Sequence, residues 1–154
     1  MQRPTTIIGW QEWSSLPELG LQAIKVKVDT GAKTSSLHAE EIEDFKKNGE
    51  KWVRFKVFPI QNNKDIVRIC EAPLVDQRHV KSSSGNKEQR PVIRTIINIG
   101  GRKWQADVNL TNRDYMGFRM LLGREAIASR IIVDPGSKFM HGIIKSLKAI
   151  DKYK

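Results

Sequence analysis

Cysteine and histidine are scarce in this sequence, and their scarcity limits its chemistry. Cys70 is the single cysteine among 154 residues, so the chain forms no internal disulfide, and we expect a reducing compartment, the cytoplasm. The three histidines, His38, His79 and His141, lie far apart, and none pairs with another at the spacing of a zinc site on a helix or hairpin. A glycine-rich phosphate loop is also missing. We therefore predict no metal and no cofactor.

Long apolar segments are absent as well. No stretch approaches the roughly 18 apolar residues that a membrane-spanning helix needs. The first ten residues contain no long apolar segment, so we expect no secretory signal. The length, and the apolar content of 39%, are typical of one globular domain over residues 1–154.

Acidic residues are few, 17 against 27 lysines and arginines, which leaves a net charge of +10. A small domain this basic indicates a polyanionic partner, either nucleic acid or acidic protein. Nucleic acid is not favoured, because bases and aromatic residues do not interleave as they do on surfaces that stack single strands. The bases are densest in residues 78–103, where the only acid is Glu88 and the bases are Arg78, Lys81, Lys87, Arg90, Arg94, Arg102 and Lys103.

Short alternating segments separated by turn signals predict an all-β fold, either a closed barrel or a sandwich. The turn signal Gly100-Gly101 predicts a hairpin, and the polar residues 81–87 predict a mobile loop. We predict a helix of one or two turns over residues 124–128, and helical spacing in a lysine-rich tail over residues 142–154. The predicted strands are residues 24–28, 53–58, 66–69, 92–99, 103–110, 120–122 and 131–133.

The segment VDTGAKTSSL, residues 28–37, follows the first of these strands and places an acid at its end. Asp-Thr-Gly alone is an ordinary turn sequence. A second segment, MLLGREAI over residues 120–127, adds an apolar strand followed by Gly-Arg. Two such elements together are much more specific than either one.

These two segments resemble the retropepsin-like aspartic peptidases. In that family a hydrophobic strand delivers Asp-Thr/Ser-Gly-Ala to the active site, and a later apolar-apolar-Gly-Arg segment packs beside it. The longer segments 29–39, 80–95, 110–113 and 120–124 are similar to the RimB-type branch, which has carried the name "ATP-dependent zinc protease".

The resemblance implies a closed retropepsin-like β-barrel with one or two short helices and a catalytic motif at Asp29, Thr30 and Gly31. Its mechanism needs two carboxyl groups that share a proton. The chain has one Asp-Thr-Gly, and residues 134–136, Asp-Pro-Gly, lack the hydroxyl. The resemblance therefore implies a symmetric homodimer with an Asp29/Asp29 dyad.

The resemblance also assigns supporting and substrate-binding residues. Gly123 and Arg124 would support the active site and the dimer. The implied substrate is an oligoglutamate tail, added to a small-subunit ribosomal protein by an ATP-grasp ligase, and residues 78–103 would form a basic flap or groove over it. The predicted substrate-binding residues are Ala32, Lys33, Arg78, Lys81, Arg90 and Arg94.

Lys33 departs from viral retropepsins, which commonly have an acid at this position. Two roles stay open for Lys33, contact with the acidic substrate, which we favour, and an ion pair with Glu125. Two other functions also stay open, a non-catalytic basic β module that binds RNA or ribosomal surfaces, and a zinc-dependent peptidase.

Overall fold

The fold is almost entirely β. The structure is a computed structural model that describes residues 5–81, 85–112, 117–127 and 131–154, with the side chains of residues 146 and 147 left out. Besides a short 3₁₀ turn at Pro17–Leu19 and one C-terminal helix, α1 (Ser146–Asp151), these ranges form eleven strands. The strands are β1 (Thr6–Gly9), β2 (Gln11–Leu16), β3 (Leu21–Asp29), β4 (Ser35–His38), β5 (Glu40–Lys47), β6 (Glu50–Val57), β7 (Arg68–Lys81), β8 (Lys87–Ile99), β9 (Arg102–Thr111), β10 (Met120–Gly123) and β11 (Ile131–Asp134).

Six of the strands close into a barrel. They are hydrogen-bonded in the order β2-β3-β10-β4-β9-β8, and β8 returns to β2 where Ser15 pairs with Asn98. Closure removes free sheet edges, which would otherwise expose unpaired backbone groups. The predicted all-β, retropepsin-like barrel is confirmed.

The other strands extend the barrel or lie beside it. β7, β6 and β5 continue the sheet outward from β8 as antiparallel neighbours. The long strands β7 and β8 form a hairpin in which Lys81 lies opposite Lys87. β1 and β11 pair in parallel as a separate two-stranded sheet.

The core follows the alternation of the sequence. On β9 the side chains of Ala106, Val108 and Leu110 are buried, and Gln105 is exposed. Burying each larger apolar side chain contributes roughly 1.5–3 kcal/mol. β10 does not alternate, because all four of its residues are buried between two neighbouring strands.

The C-terminal segment is fastened to β3. The hydroxyl of Tyr153 accepts a hydrogen bond from the Ala23 backbone N–H at 2.9 Å and donates to the Ala23 carbonyl. Burial raises the pKa of this phenol to about 12. The predicted helical tail is confirmed for residues 146–151 only, since residues 142–145 are not helical. In the described parts of the chain no helix has the length and apolar character needed to cross a bilayer.

The helix predicted over residues 124–128 is wrong for its described part. The carbonyls of Gly123 and Arg124 accept from the N–H groups three residues ahead, which makes tight turns. The backbone N–H groups of Arg124 and Glu125 donate instead to the carbonyls of Ala32 and Lys33, at 2.8 and 3.1 Å. These bonds attach the turn to the Asp29 loop, and the helix propensity of so short a segment is only a weak preference. Ala128 lies outside the described residues.

The loop predicted over residues 81–87 is shorter than expected. Its first and last residues, Lys81 and Lys87, belong to β7 and β8 and pair across the hairpin. Residues 82–84 lie outside the described residues. The strand predicted at residues 66–69 likewise begins later, at Arg68.

Candidate active site

Three strands bring the two sequence motifs together. β10 lies between β3 and β4, the strands that the Asp-Thr-Gly loop connects. It runs parallel to β3, with Gly123 opposite Asp29, and antiparallel to β4, with Met120 opposite Leu37. The Asp29 loop and the Gly-Arg turn are therefore neighbours, although about 90 residues separate them in sequence.

Gly123 allows this close approach. A Cβ atom at this position would lie 2.7 Å from the Thr34 carbonyl carbon and 2.9 Å from the Ser35 nitrogen. The Gly123 N–H donates to the Ser35 hydroxyl at 3.0 Å. A larger residue would push the Asp29 loop away from β10.

The Asp29 loop is held by hydrogen bonds on both sides. The half-buried Asp29 carboxylate accepts from the Gly31 N–H at 3.1 Å. The Arg124 guanidinium donates to the Gly31 carbonyl, also at 3.1 Å. Within one chain Arg124 therefore braces the loop, and an ion pair with an acid after Asp-Thr-Gly-Ala is not needed for this.

A cavity of about 660 Å³ opens beside Asp29. Asp29 is the one acid among the described residues that line it. Thr30 and Arg94, two of the predicted site residues, do not line it. The lining comes from the Asp29 loop, the hairpin and the strands beneath, and consists of Asp29, Gly31, Ala32, Lys33, Thr34, Ser36, Arg78, His79, Val80, Lys81, Arg90, Asn109 and Leu121.

Two arginines of the hairpin have acidic partners. Arg78 donates to the Thr34 hydroxyl at 2.8 Å and to Asp76 at 3.0 Å, and lies 3.6 Å from Asp107. Arg94 lies 2.8 Å from Asp107, whose hydrogen bond and charge raise the pKa of this guanidinium. Each arginine is therefore ion-paired within the chain, although neither Asp76 nor Asp107 lines the cavity.

Arg90 is the centre of a buried polar network under the cavity. Only 4% of Arg90 is exposed. Its guanidinium donates to Glu88 at 3.1 Å, to Asn109 at 3.2 Å and to Ser36 at 3.4 Å. Thr111 donates to the same Glu88 carboxylate at 3.1 Å. The network connects β4, β8 and β9 below the Asp29 loop, and it satisfies a charge that would be very unfavourable if buried alone.

Several lining residues were missed by sequence reasoning. Ser36 and Asn109, which share a 2.7 Å hydrogen bond, are buried polar side chains. In the sequence, Asn109 could have been noticed as an amide between two apolar residues of a predicted strand. His79 also lines the cavity, and it could have been noticed because it follows Arg78 directly.

Of the two roles left open for Lys33, the structure contains the ion pair with Glu125. The lysine ammonium lies 3.9 Å from Glu125, and the side chains are 71% and 45% exposed. Such a solvated pair contributes only about 0–1 kcal/mol. Because Lys33 also lines the cavity, its charge is accessible from the space beside Asp29.

The histidines lie in separate surroundings. His38 is 3.3 Å from the Glu40 carboxylate, and His141 is 2.8 Å from the Ile7 carbonyl. Across residues 5–81, 85–112, 117–127 and 131–154 no three His, Cys, Asp or Glu side chains form a group that could hold a metal ion.

A closed β-barrel that carries Asp-Thr-Gly beside an inserted Leu-Leu-Gly strand defines the retropepsin-like class of proteins. The family model described as "Retropepsin-like aspartic endopeptidase RimB" matches residues 7–143, so the chain belongs to the RimB-like family. The resemblance drawn from the motifs is confirmed.

Individual relatives place this unit in longer proteins. A probable alpha-L-glutamate ligase of Shewanella pealeana is 52% identical over 136 residues, which cover 88% of this chain and 30% of the relative. A protein of the same name from Desulfotalea psychrophila is 53% identical over 129 residues, 84% of this chain and 28% of that protein. The chain thus spans less than a third of these curated relatives.

One solved structure covers nearly the same length. The crystal structure of a Legionella pneumophila protein of unknown function matches with a TM-score of 0.75 and 34% sequence identity. The match covers 88% of this chain and 98% of that chain.

Proposed function

We propose that this protein is an aspartic endopeptidase that acts as a symmetric homodimer on acidic, glutamate-rich peptide tails. Asp29 of each subunit would supply one carboxyl group of the catalytic pair. The observation that carries the proposal is the braced Asp29 loop, held against Gly123 and Arg124 at the mouth of a cavity lined by four cations, Lys33, Arg78, Lys81 and Arg90.

The chemistry follows from two carboxyl groups in close proximity. Two carboxyl groups so close together cannot both ionise, because their negative charges would repel each other. One group is therefore a carboxylate, and the other keeps its proton. The carboxylate takes a proton from a water molecule, and the oxygen of that water molecule attacks the scissile carbonyl carbon. The protonated group gives its proton to the carbonyl oxygen, which forms a tetrahedral diol. Protonation of the leaving nitrogen as the C–N bond breaks completes hydrolysis.

A second chain is required by this mechanism. Among the described residues, one chain brings a single acid, Asp29, to the cavity. A two-fold axis next to Asp29 would bring its copy within proton-sharing distance, because an isologous interface places identical residues opposite each other at the axis. The exposed Thr30 and Gly31 lie beside Asp29 and would approach the axis with it.

The basic cavity supports an acidic substrate. The net charge of +10 provides long-range attraction for a polyanion. The relatives are named glutamate ligases, and this chain matches less than a third of their length. A peptidase joined to a ligase would remove glutamates that the ligase adds, and the tail of a small-subunit ribosomal protein is the proposed target.

The test is cleavage of a peptide that ends in several glutamates, followed by mass spectrometry. We expect Asp29→Asn to lower the rate by about 10³-fold or more, since a general acid or base typically contributes 10²–10⁴-fold. Folding should be retained, because the amide oxygen can still accept from the Gly31 N–H. Activity per chain should also fall on dilution as the dimer dissociates.

Asp134→Asn is the matched control. Asp134 also accepts a hydrogen bond from the glycine two residues ahead, Gly136, at 2.9 Å. This variant should cleave at the wild-type rate. Equal activity of the two variants would contradict the proposal. Loss of wild-type cleavage in a strong chelator would favour the zinc alternative, whereas RNA binding without any cleavage would favour the basic module.

A further inference from the structure

Three basic or ionisable side chains lie on one face at the end of the β7–β8 hairpin. Lys81 pairs directly with Lys87, and His79 lies two residues before Lys81 on the same strand. Cross-strand partners and residues two apart on a strand project to the same face of a sheet. His79 and Lys81 also line the Asp29 cavity, so this face is continuous with the candidate active site.

The two lysines are electrostatically unfavourable neighbours. Like charges directly opposite each other destabilise a strand pair. In the described part of the chain, neither lysine nor His79 makes a side-chain ion pair or hydrogen bond. The nearby arginines differ, since Arg78 contacts Asp76 and Arg90 contacts Glu88. Each of these arginines is therefore paired with an acid on its own strand, while the lysines leave positive charge available at the end of the hairpin.

We propose that Lys81, Lys87 and His79 form a carboxylate-binding subsite for an acidic residue of the substrate away from the bond that is cut. This inference rests on the proposed function and adds a recognition element to it. A bound carboxylate would relieve the lysine–lysine repulsion, so substrate binding and hairpin stability would reinforce each other.

The subsite lies away from the Asp29 loop. Arg78 contacts Thr34 of that loop, and Lys81 follows further along β7 toward the end of the hairpin. The subsite would therefore hold an acidic side chain that is not adjacent to the cleaved bond. Long glutamate tails would be preferred, and trimming would slow as the tail shortens.

The chain contains a matched control for this lysine pair. Lys46 and Lys51 are also exposed and directly opposite each other, in the β5–β6 hairpin. They do not line the Asp29 cavity. Neutralising either pair removes the same net charge and the same cross-strand repulsion, but only the Lys81–Lys87 pair belongs to the proposed subsite.

The experiment measures binding without cleavage. In an Asp29→Asn background, fluorescence anisotropy gives the affinities for labelled peptides with eight and with two glutamates. The ratio of interest is the affinity for the eight-glutamate peptide divided by the affinity for the two-glutamate peptide. We expect Lys81→Gln/Lys87→Gln to lower this ratio about tenfold, which corresponds to less than 1 kcal/mol for each exposed lysine. Lys46→Gln/Lys51→Gln should leave the ratio unchanged. If the first double variant does not fold, Lys87→Gln alone should lower the ratio about threefold.

Three results would overturn the subsite. They are an unchanged ratio in the Lys81/Lys87 variant, an equal fall in the Lys46/Lys51 variant, and an equal loss of affinity for a uridine oligonucleotide of similar charge. Cleavage of the eight-glutamate peptide by the unsubstituted protein is measured in parallel. If this peptide is not cleaved, the peptidase proposal is contradicted. If it is cleaved but the affinity ratio is unchanged in the Lys81/Lys87 variant, only the subsite is contradicted.

Discussion

Two cavities of similar size open on this barrel, and their linings differ in chemistry. The larger, about 700 Å³, lies over β6, β7 and β8, where Trp52, Ile69 and Val75 supply apolar walls. The cavity beside Asp29 measures about 660 Å³. Size therefore does not distinguish the candidate active site. Among the described residues, the Asp29 cavity has one acid and four basic side chains in its lining, whereas the larger cavity has two of each, Glu18, Glu71, Lys47 and Arg94.

The buried polar groups of the two cavities also differ. Under the Asp29 cavity, Ser36, Arg90 and Asn109 are joined by hydrogen bonds. In the larger cavity the Thr95 hydroxyl is buried and, among the described residues, has no hydrogen-bond partner. A polar network in which every group is hydrogen-bonded fixes the positions of its side chains, whereas a hydroxyl without a partner does not. The difference indicates that the Asp29 cavity is the preorganised one.

The largest effect expected from this comparison concerns the thiol in the larger cavity. Cys70 is 2% exposed, and burial raises its pKa from 9.0 to about 12. At pH 8 its thiolate fraction should be about 10³-fold below that of the unfolded chain, and the thiolate is the reactive form. An absorbance assay with a disulfide reagent should therefore show labelling at least about 10³-fold slower in native protein than in urea. Rapid labelling of the native protein would break the comparison, because it would reveal a reactive nucleophile in the larger cavity.

The next effect tests the close approach at the Asp29 cavity. Gly123→Ala would place a methyl group 2.7 Å from the Thr34 carbonyl carbon. Overpacking of this kind costs typically 1–3 kcal/mol, and the displaced loop should also lose cleavage activity. Urea denaturation and the peptide assay measure the two losses.

Gly136→Ala is the control for a glycine in an open turn. A Cβ there would meet its nearest atom, an Asp134 oxygen, at an ordinary 3.5 Å. Its free energy of unfolding should change by less than about 1 kcal/mol, and activity should be unchanged. Equal effects of the two substitutions would mean that Gly123 does not hold the Asp29 loop against β10.

Sequence patterns predicted the strands with apolar alternation, and they missed strands that depend on tertiary contacts. β4 is fully buried although it contains Ser35, Ser36 and His38. The hydroxyls of its two serines bond to residues that are distant in sequence, Gly123 and Asn109. β5 is mostly charged and exposed, and it forms because it pairs with β6. No local pattern marks either strand.

The candidate site shows the same division. The Asp-Thr-Gly and Gly-Arg motifs predicted that Asp29, Gly123 and Arg124 belong together. The basic residues of the hairpin looked equivalent in sequence, because their acidic partners are defined by strand register. Asp107 comes within ion-pair distance of Arg78 and Arg94 only after β7, β8 and β9 are aligned. Register is a non-local property, so a one-residue slip would change every pair.

The smallest effects come from two buried threonines that differ in their hydrogen bonding. Thr111 donates to Glu88 in the network under the Asp29 cavity, whereas the Thr95 hydroxyl in the larger cavity has no partner among the described residues. Both are 1% exposed, so valine replaces each with little change in volume. Thr111→Val should destabilise the chain by about 1–2 kcal/mol, because the Glu88 carboxylate loses a donor. Thr95→Val should instead stabilise it by about 0.5–1 kcal/mol, because an unsatisfied polar group leaves the interior. Urea denaturation of the two variants measures both changes. Changes of the same sign and size would mean that the two cavities do not differ in polar satisfaction, and that the order attributed to the Asp29 cavity has another origin.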